Sequence, residues 1–500
     1  MDELANPQDA GEEVRQSALA KYFPSLPPVR LFCYSAGMSF RAGCLTLLTF
    51  TSTTWAQSPV TLTVDAAARG PAIPPAFAGV SIFTGTQVRD HKGVPGNLFS
   101  ATNTQLITLF RNAGLHHLRL SATGSPTSGS RNLSHADIDS LFAFAKVTDI
   151  KVIYSLHFAD GSATAKYVWD NYRPCVDCFG FDNEPDWRLN DNPATADTTH
   201  PDYFTSWRDF ARAVVAAAPG AKFAGPDAAG RTLVSRFVAA EKDSGCLALV
   251  TQHTYVGGNS RKKGIDTPQA IESMLSWEWV ANNYPQLYRT VLKPVAAQGL
   301  PFRITELDDH VHGVTNASDA FASALWALDV LRWWAAQGAS GIKFQNTEWL
   351  RTDTFYRDSQ GNYQVYPKAF GIKAFDLGSH GAVESATLDN PQGWNLTAYA
   401  VGGPTNLFVT LINKEHGPTS RGAASVTINP GGFSPGHAAA MFLTAPGGNV
   451  GATAGVTLGG DVITNDRPWD GKWTPLTPAH GQYVVLVPAA SAAVVRLSAL

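Results

Sequence analysis

The sequence has few charged residues, few cysteines and no long apolar run. Asp, Glu, Lys and Arg make up 16% of the 500 residues and the net charge is −3, whereas globular domains usually carry ~25% charged residues. This balance gives no global signal for binding nucleic acid or a membrane. Five cysteines exclude a disulfide-rich scaffold. No apolar run in the sequence approaches the ~20 residues that span a bilayer.

Cys175 and Cys178 form a CxxC pair without a second ligand pair, which favours a local disulfide or buried thiols over zinc.

Residues 1–56 have the pattern of a targeting segment. From Met38, a short basic start is followed by the apolar stretch Leu45–Phe50 and by small residues before Gln57, which is the order found in secretory signal peptides. We therefore expect translation to start at Met38 and cleavage to follow Ala56, giving a secreted or periplasmic protein. The alternative is a short apolar helix that packs on the domain.

From residue 77 to residue 375, strand-like and helix-like segments alternate. The strand-like segments are Phe77–Phe83, His117–Ser121, Lys151–His157, Cys178–Asn183, Phe223–Asp227, Leu249–Tyr255, Phe302–Glu306 and Gly341–Asn346. The helical patterns between and after them are Asn103–Ala113, Asp137–Lys146, Ala163–Tyr172, Tyr203–Ala217, Leu233–Lys242, Gln286–Ala297, Asp319–Gln337 and Pro367–Phe375. Repeated β/α units with apolar strands predict an α/β protein whose parallel sheet closes into a (β/α)8 TIM barrel.

The C-terminal quarter of the chain has a different character. Residues 376–500 are rich in Gly, Ala, Thr, Val and Pro, and short apolar runs are separated by turn residues, which predicts an antiparallel β-sandwich. The strand-like segment Val60–Val64 precedes the barrel and is expected to complete this sandwich. We therefore predict a joining strand in residues 57–76, a catalytic barrel in 77–375 and a sandwich in 376–500.

Two of the strand-like segments lead into a glutamate. Glu184 follows Asn183 after the fourth segment, and Glu306 ends the seventh. Catalytic groups of β/α barrels lie at the carboxyl ends of the strands. Retaining glycoside hydrolysis needs two carboxyl groups roughly 5–5.5 Å apart, one as acid/base and one as nucleophile. The pair therefore predicts a retaining glycosidase with a carbohydrate substrate, and neither a cofactor nor a metal is expected.

The two glutamates have different predicted roles. Glu184 is assigned as the general acid/base, so its pKa should be raised in the free enzyme, and Glu306 is assigned as the nucleophile, which must stay ionised. Arg119 on the second strand could keep the nucleophile ionised, and Tyr255 on the sixth could donate a hydrogen bond to it. Asn183 can hold the 2-hydroxyl of the sugar. The alternatives are a structural ion pair for Arg119 and simple packing for Tyr255.

Several short segments together resemble glycoside hydrolase family 79, the β-glucuronidase and heparanase group. They are Phe223–Asp227, Asn183–Asp186, Thr305–Glu306 and Ala322–Asp329. The Asn-Glu-Pro pattern after the fourth strand and the glutamate ending the seventh also resemble the wider superfamily of retaining glycosidases built on this barrel. The resemblance covers most of the barrel and, more weakly, the sandwich. It implies a β-glucuronidase, exo- or endo-acting, that hydrolyses β-glucuronides or glucuronate-containing glycans by double displacement.

The loop after Glu306 departs from this family. Related uronidases carry a tyrosine and glycines there to hold the sugar carboxylate, whereas Leu307–Gly313 contains no tyrosine. His310, His312 or the basic cluster Arg261–Lys263 could supply the donors that a uronate needs, although the cluster is also typical of a solvated loop. A retaining glycosidase for a neutral sugar is therefore the first alternative, and a non-catalytic carbohydrate-binding protein is the second.

Residues next to other strand ends are further candidates for the pocket. Trp187 and Trp349 follow the fourth and eighth strands, where either could form a sugar platform or be half-buried packing; Trp349 is included among the substrate-binding residues. His253 either lines the pocket or is a satisfied core histidine. Asp182 stands where family 79 usually has glycine, and it adds a carboxylate near the acid/base.

Overall fold

A computed structural model describes residues 60–88, 96–121, 133–157, 160–186, 203–347, 350–478 and 482–499. The N-terminal extension with its predicted signal peptide lies outside these residues, and so do Trp187 and Trp349. Within the described ranges, none of the helices has both the length and the apolar character needed to cross a membrane.

After a first strand, β1 (Val60–Ala72), eight strands close into a barrel in chain order. They are β2 (Ala78–Phe83), β3 (His117–Ser121), β4 (Lys151–Leu156), β5 (Val176–Phe181), β6 (Phe223–Ala228), β7 (Leu247–Tyr255), β8 (Phe302–Asp308) and β9 (Ile342–Gln345). Neighbouring strands are parallel, and β9 closes the barrel by pairing with β2. The predicted (β/α)8 barrel is confirmed.

Helices connect the barrel strands on the outside. Their bounds are Thr84–Val88, Thr104–Ala113, His135–Thr148, Gly161–Tyr172, Tyr203–Ala217, Arg231–Glu241, Ser260–Lys263, Thr267–Leu275, Tyr284–Leu287, Lys293–Ala296, Phe321–Ala336 and Lys368–Leu377, with a short 3-10 turn at Arg173–Cys175. A second 3-10 turn, Pro446–Gly448, lies in the C-terminal domain. Polar caps set some of these ends: Ser134 and Asp137 form a capping box, so this helix begins earlier than its apolar pattern indicates.

The helix expected at Gln286–Ala297 has an irregular form. Wide π-type turns at Trp279–Asn283 and Tyr288–Leu292 alternate with short α-helical segments. Pro285 and Pro294 lie in those α-helical segments. Because proline has no backbone N–H to donate, a regular series of helical hydrogen bonds is interrupted there.

The C-terminal strands form a second, mostly antiparallel sheet, which confirms the predicted β-sandwich domain. Its strands are β12 (Ala382–Asp389), β13 (Leu396–Gly402), β14 (Asn406–Asn413), β15 (Ala424–Gly431), β16 (Pro435–Thr444), β17 (Thr457–Leu458), β18 (Thr474–Pro475), β19 (Tyr483–Val487) and β20 (Ser491–Ala499), together with β1. Their order in the sheet is β17-β16-β20-β14-β13-β12-β1-β15-β19, with β18 paired to β16. β1 pairs antiparallel with β12 and parallel with β15. A separate hairpin, β10 (Phe355–Arg357) and β11 (Tyr363–Val365), follows the barrel.

A buried polar cluster joins the barrel helix Phe321–Ala336 to the sandwich. Asp329 accepts hydrogen bonds from Lys414 Nζ at 2.7 Å, Thr397 Oγ1 at 2.8 Å and Tyr399 Oη at 2.6 Å. Because each of these donors comes from the sandwich, the Asp329 carboxylate links the barrel helix to the sandwich.

The described cysteines are free thiols. Cys178 packs with Ile153, Ala224 and Leu249 in a small apolar cluster of barrel residues. The CxxC pair therefore does not form a disulfide, and burial accounts for Cys178.

Candidate active site

The predicted catalytic glutamates lie on the same face of the barrel, at the carboxyl ends of β5 and β8. β5 ends at Phe181 and is followed by Asp182 and Glu184, which have φ angles of 74° and 47°. This left-handed backbone is uncommon for residues other than glycine. Glu306 is still part of β8. A carboxylate oxygen of Glu184 lies within 4.8 Å of one of Glu306.

Glu306 is surrounded by hydrogen-bond donors. Tyr255 Oη donates to Glu306 Oε1 at 2.5 Å, and Arg119 Nη1 lies 3.4 Å from Oε2. The amide nitrogen of Gln345, in the orientation that satisfies both of its neighbours, lies 3.2 Å from Oε2. Burial, reinforced by the charge of Glu306, raises the pKa of Tyr255 well above its ordinary value, so the phenol keeps its proton and stays a donor to Glu306.

Arg119 is fully buried and connects several groups of the site. Its Nη2 donates to Asn183 Oδ1 at 2.8 Å, and its Nη1 donates to Ser81 Oγ at 2.9 Å. Ser121 Oγ also donates to Asn183 Oδ1, at 2.8 Å. With its oxygen held by two donors, the amide of Asn183 has a fixed orientation, which leaves Nδ2 as the donor for a ligand.

His253 lies between the two glutamates. Its Nδ1 is 2.9 Å from Glu184 Oε1 and 3.7 Å from Glu306 Oε2, and only 1% of its surface is exposed. Burial alone would lower the pKa of His253, but the facing carboxylates, led by Glu306, raise it to about 9. The imidazole is therefore protonated at neutral pH, and Nδ1–H donates to Glu184.

Asp227 and Asp186 were not assigned roles from the sequence, although both belong to the family-79-like segments. Asp227 is the penultimate residue of β6, and its carboxylate accepts hydrogen bonds from Arg119. Asp186 accepts hydrogen bonds from the backbone nitrogens of Ala229 at 3.0 Å and Gly230 at 2.5 Å. This joins the loop that carries Glu184 to the loop after β6. The strand-end rule that identified the glutamates also applies to Asp227.

The two histidines that were predicted to bind a uronate have different surroundings. His310 is 1% exposed, its Nδ1 lies 3.0 Å from Asp309 Oδ2, and its ring packs near Trp279. His312 is exposed in the loop after β8, with φ 66°. The basic cluster forms the short helix Ser260–Lys263 just after β7. Within it, Lys263 Nζ donates to Gly257 O at 3.1 Å.

The Glu184, His253 and Glu306 side chains are close enough together to be considered as metal ligands. One ligand atom of each lies within 4.8 Å of the others. However, His253 Nδ1 is already bonded to Glu184, and the guanidinium of Arg119 lies against Glu306. Since nearby positive charges oppose cation binding, these contacts fit a hydrogen-bonded cluster better than a metal site.

Searches of protein-family models and of curated protein sequences give no match for this chain. Among solved structures, it is similar to a 4-O-α-L-rhamnosyl-β-D-glucuronidase from Fusarium oxysporum 12S, with TM-score 0.64 and 18% identity over 87% of this chain and 100% of that one. It is also similar to a family 51 α-L-arabinofuranosidase from Bifidobacterium longum, with TM-score 0.61 and 11% identity over 88% and 100%. A third similar structure is a glycoside hydrolase family 30 subfamily 8 xylanase from Clostridium acetobutylicum, with TM-score 0.54 and 15% identity over 88% of this chain and 100% of that one. At these identities the likeness establishes the shared fold.

Proposed function

We propose that this protein is a retaining β-glycosidase. The observation that carries the proposal is that one carboxylate oxygen of Glu184 lies within 4.8 Å of one of Glu306, at the carboxyl ends of the fourth and seventh barrel strands. Retaining enzymes hold their carboxyl groups about 5–5.5 Å apart, whereas inverting enzymes need about 6.5–9.5 Å to admit a water molecule. The fold shared with known glycoside hydrolases adds support.

In the proposed first step, Glu306 attacks the anomeric carbon while Glu184 protonates the departing oxygen. Tyr255 and Arg119 hold the carboxylate of Glu306 in place. Glu184 must carry this proton when the substrate is bound, and His253 Nδ1, 2.9 Å from Glu184 Oε1, is the group that we propose supplies it. The bond to the leaving group breaks as the Glu306 ester forms, which gives a covalent glycosyl-enzyme.

In the second step, Glu184 acts as a base towards water, and the water attacks the same carbon and releases Glu306. Two inversions give a product with the β configuration. The amide Nδ2 of Asn183 is positioned to donate to the sugar 2-hydroxyl, a contact that strengthens as charge develops on the ring. Proton NMR at early times should show β-configured sugar first; an α-configured first product would refute double displacement.

For the substrate, we propose a β-glucuronide. Support comes from the segments that resemble family 79 and from the fold shared with a rhamnosyl-glucuronidase. We propose Lys263 as the donor for the uronate carboxylate. Its Nζ contacts the carbonyl of Gly257, which lies two residues after Tyr255 in the chain. A carboxylate needs a charged donor when it is desolvated. A neutral sugar is the second candidate, because the loop after Glu306 lacks the tyrosine and His310 is engaged by Asp309.

A panel of aryl glycosides tests both candidates. The β-glucuronide should be hydrolysed faster than the β-glucoside, β-xyloside and β-galactoside, and Glu306→Gln and Glu184→Gln should serve as inactive controls. A higher kcat/KM on the glucoside would assign the protein to the neutral-sugar candidate. No turnover of any glycoside by the wild-type protein would favour a non-catalytic carbohydrate-binding protein.

Lys263→Met tests the uronate donor. KM for the glucuronide should rise about 10- to 150-fold, since a charged hydrogen bond contributes about 1.5–3 kcal/mol, while slow hydrolysis of the glucoside should not change. Lys262→Met is the matched control, because Lys262 belongs to the same exposed helix. Equal effects of the two substitutions would reject Lys263 as the donor.

We also propose that the protein is exported, on the basis of the signal-peptide pattern before Gln57. N-terminal sequencing of the mature protein should begin at Gln57. A mature protein that retains residues 38–56 would contradict cleavage.

A further inference from the structure

One buried carboxylate, Asp227 at the end of β6, contacts both cationic groups of the site. Arg119 Nε and Nη2 donate to its Oδ2 at 3.1 and 3.0 Å. Thr305 Oγ1 donates to its Oδ1 at 2.5 Å, and His253 Nε2 lies 3.8 Å from the same oxygen. Asp227 itself is 1% exposed, so these contacts are shielded from water.

The backbone of Asp227 is also part of the site. Its carbonyl accepts a hydrogen bond from Glu184 N at 2.9 Å, and its amide lies 2.9 Å from Thr251 Oγ1. The residue has a φ of 54°, a left-handed conformation that costs free energy for a non-glycine residue. The contacts with both neighbouring strands hold it in this conformation.

We propose that Asp227 is a positioning residue that sets the geometry and charge around both catalytic glutamates. This inference rests on the proposed function. The carboxylate holds Arg119 against Glu306 and Asn183, it balances the imidazolium that binds Glu184, and the carbonyl fixes the backbone of Glu184. Asp227 does not touch the reacting atoms in this scheme.

The balance of charges in the site predicts the effect of removing the Asp227 carboxylate. Arg119 and protonated His253 carry two positive charges, and Asp227 compensates one of them. Asp227→Asn would leave both positive charges facing Glu306, which would stabilise the free carboxylate and weaken it as a nucleophile. The guanidinium would also lose its charged partner. Because these effects act on the chemical step, kcat should fall about 100-fold while KM changes little.

The pH profile gives a second readout. His253 faces Glu184 after β5, Asp227 on β6, Glu306 on β8 and Arg119 on β3. Of these groups, Asp227 is among those that favour the protonated imidazole. In Asp227→Asn, the alkaline limb of kcat should therefore move to lower pH, a change that a purely structural role would not cause.

Asp177→Asn provides a matched control. Asp177 also contacts one arginine and one histidine, with Arg303 Nη1 at 2.5 Å and His117 Nε2 at 3.1 Å. It lies near the start of β5 instead of at the carboxyl ends of the strands. Its substitution should lower stability without moving the pH profile. If Asp227→Asn activity stays within threefold of wild type, or if its pH profile is unchanged, the proposal is overturned.

Thr305→Val tests the same idea if Asp227→Asn does not fold. It removes the donor to Asp227 Oδ1 and retains the carboxylate, so kcat should fall roughly tenfold, as expected for a hydrogen bond to a charged group. A kcat within twofold of wild type would overturn the proposal.

An NMR titration of the His253 ring separates this inference from the proposed function. The pKa should fall in Asp227→Asn relative to wild type even if no glycoside is turned over. An unchanged pKa would refute the charge role of Asp227, whatever the enzyme's substrate.

Discussion

Tyr255→Phe removes one hydroxyl and leaves the ring that packs beside Glu306. The lost contact is the 2.5 Å hydrogen bond from Tyr255 Oη to Glu306 Oε1. A hydrogen bond to a charged group contributes about 1.5–3 kcal/mol, and each 1.36 kcal/mol on a barrier changes a rate roughly tenfold. We therefore expect kcat/KM for an aryl glycoside to fall about 10- to 150-fold, since the nucleophile is less well oriented for attack.

The chain offers a matched control for this substitution. Tyr167 Oη donates to Asp139 Oδ1 at 2.6 Å, which is also a hydrogen bond between a tyrosine and a carboxylate, but it lies on the outer helix Gly161–Tyr172. Tyr167→Phe should leave kcat/KM unchanged. If Tyr255→Phe stays within twofold of the wild-type enzyme, Tyr255 does not orient the nucleophile and the assignment is refuted.

Two further predictions concern stability. Lys414→Met removes the cationic partner of buried Asp329 and should lower the free energy of unfolding by about 3–5 kcal/mol; urea unfolding measures this, and the double variant Asp329→Leu, Lys414→Met should recover part of the loss. Burial alone would raise the pKa of Asp376, but its hydrogen bond with His116 and the charge of Lys373 hold that pKa below its usual range. The contribution of Asp376 to the free energy of unfolding is therefore present above about pH 4 and is lost as the pH falls further. Asp376→Asn should destabilise the protein more near pH 6 than near pH 3. Equal losses at the two pH values, or a fully stable Lys414→Met, would contradict these interpretations.

The barrel and the positions of the two glutamates could be predicted because both follow from local patterns. Apolar strand-like runs alternate with helical spacing, and the carboxyl ends of parallel strands meet on one face. His253 could have been placed by the same reasoning. It lies two residues before Tyr255, and alternate residues of a strand point to the same side.

The contacts of Asp227 and the orientation of His310 could not be predicted in this way. Asp227 meets Arg119 across 108 residues of chain, and no local pattern encodes that pairing. His310 follows a strand end as the glutamates do, yet its ring packs beside Trp279 and Asp309. A loop residue can turn to either side, so its position in the sequence does not fix its contacts. Similarly, no local pattern encodes the parallel register of β1 with β15, in which Val60 lies opposite Val426.

In the proposed mechanism, Glu306 forms a covalent bond to the sugar while Glu184 transfers the proton. A 2-deoxy-2-fluoro aryl β-glycoside of the preferred sugar slows both steps, and its good leaving group allows the ester to accumulate. Peptide mass spectrometry after inactivation should find one fluorosugar on the peptide that contains Glu306, and Glu306→Gln should remain unlabelled. A label on another residue, or continued turnover without any covalent adduct, would contradict the proposed mechanism.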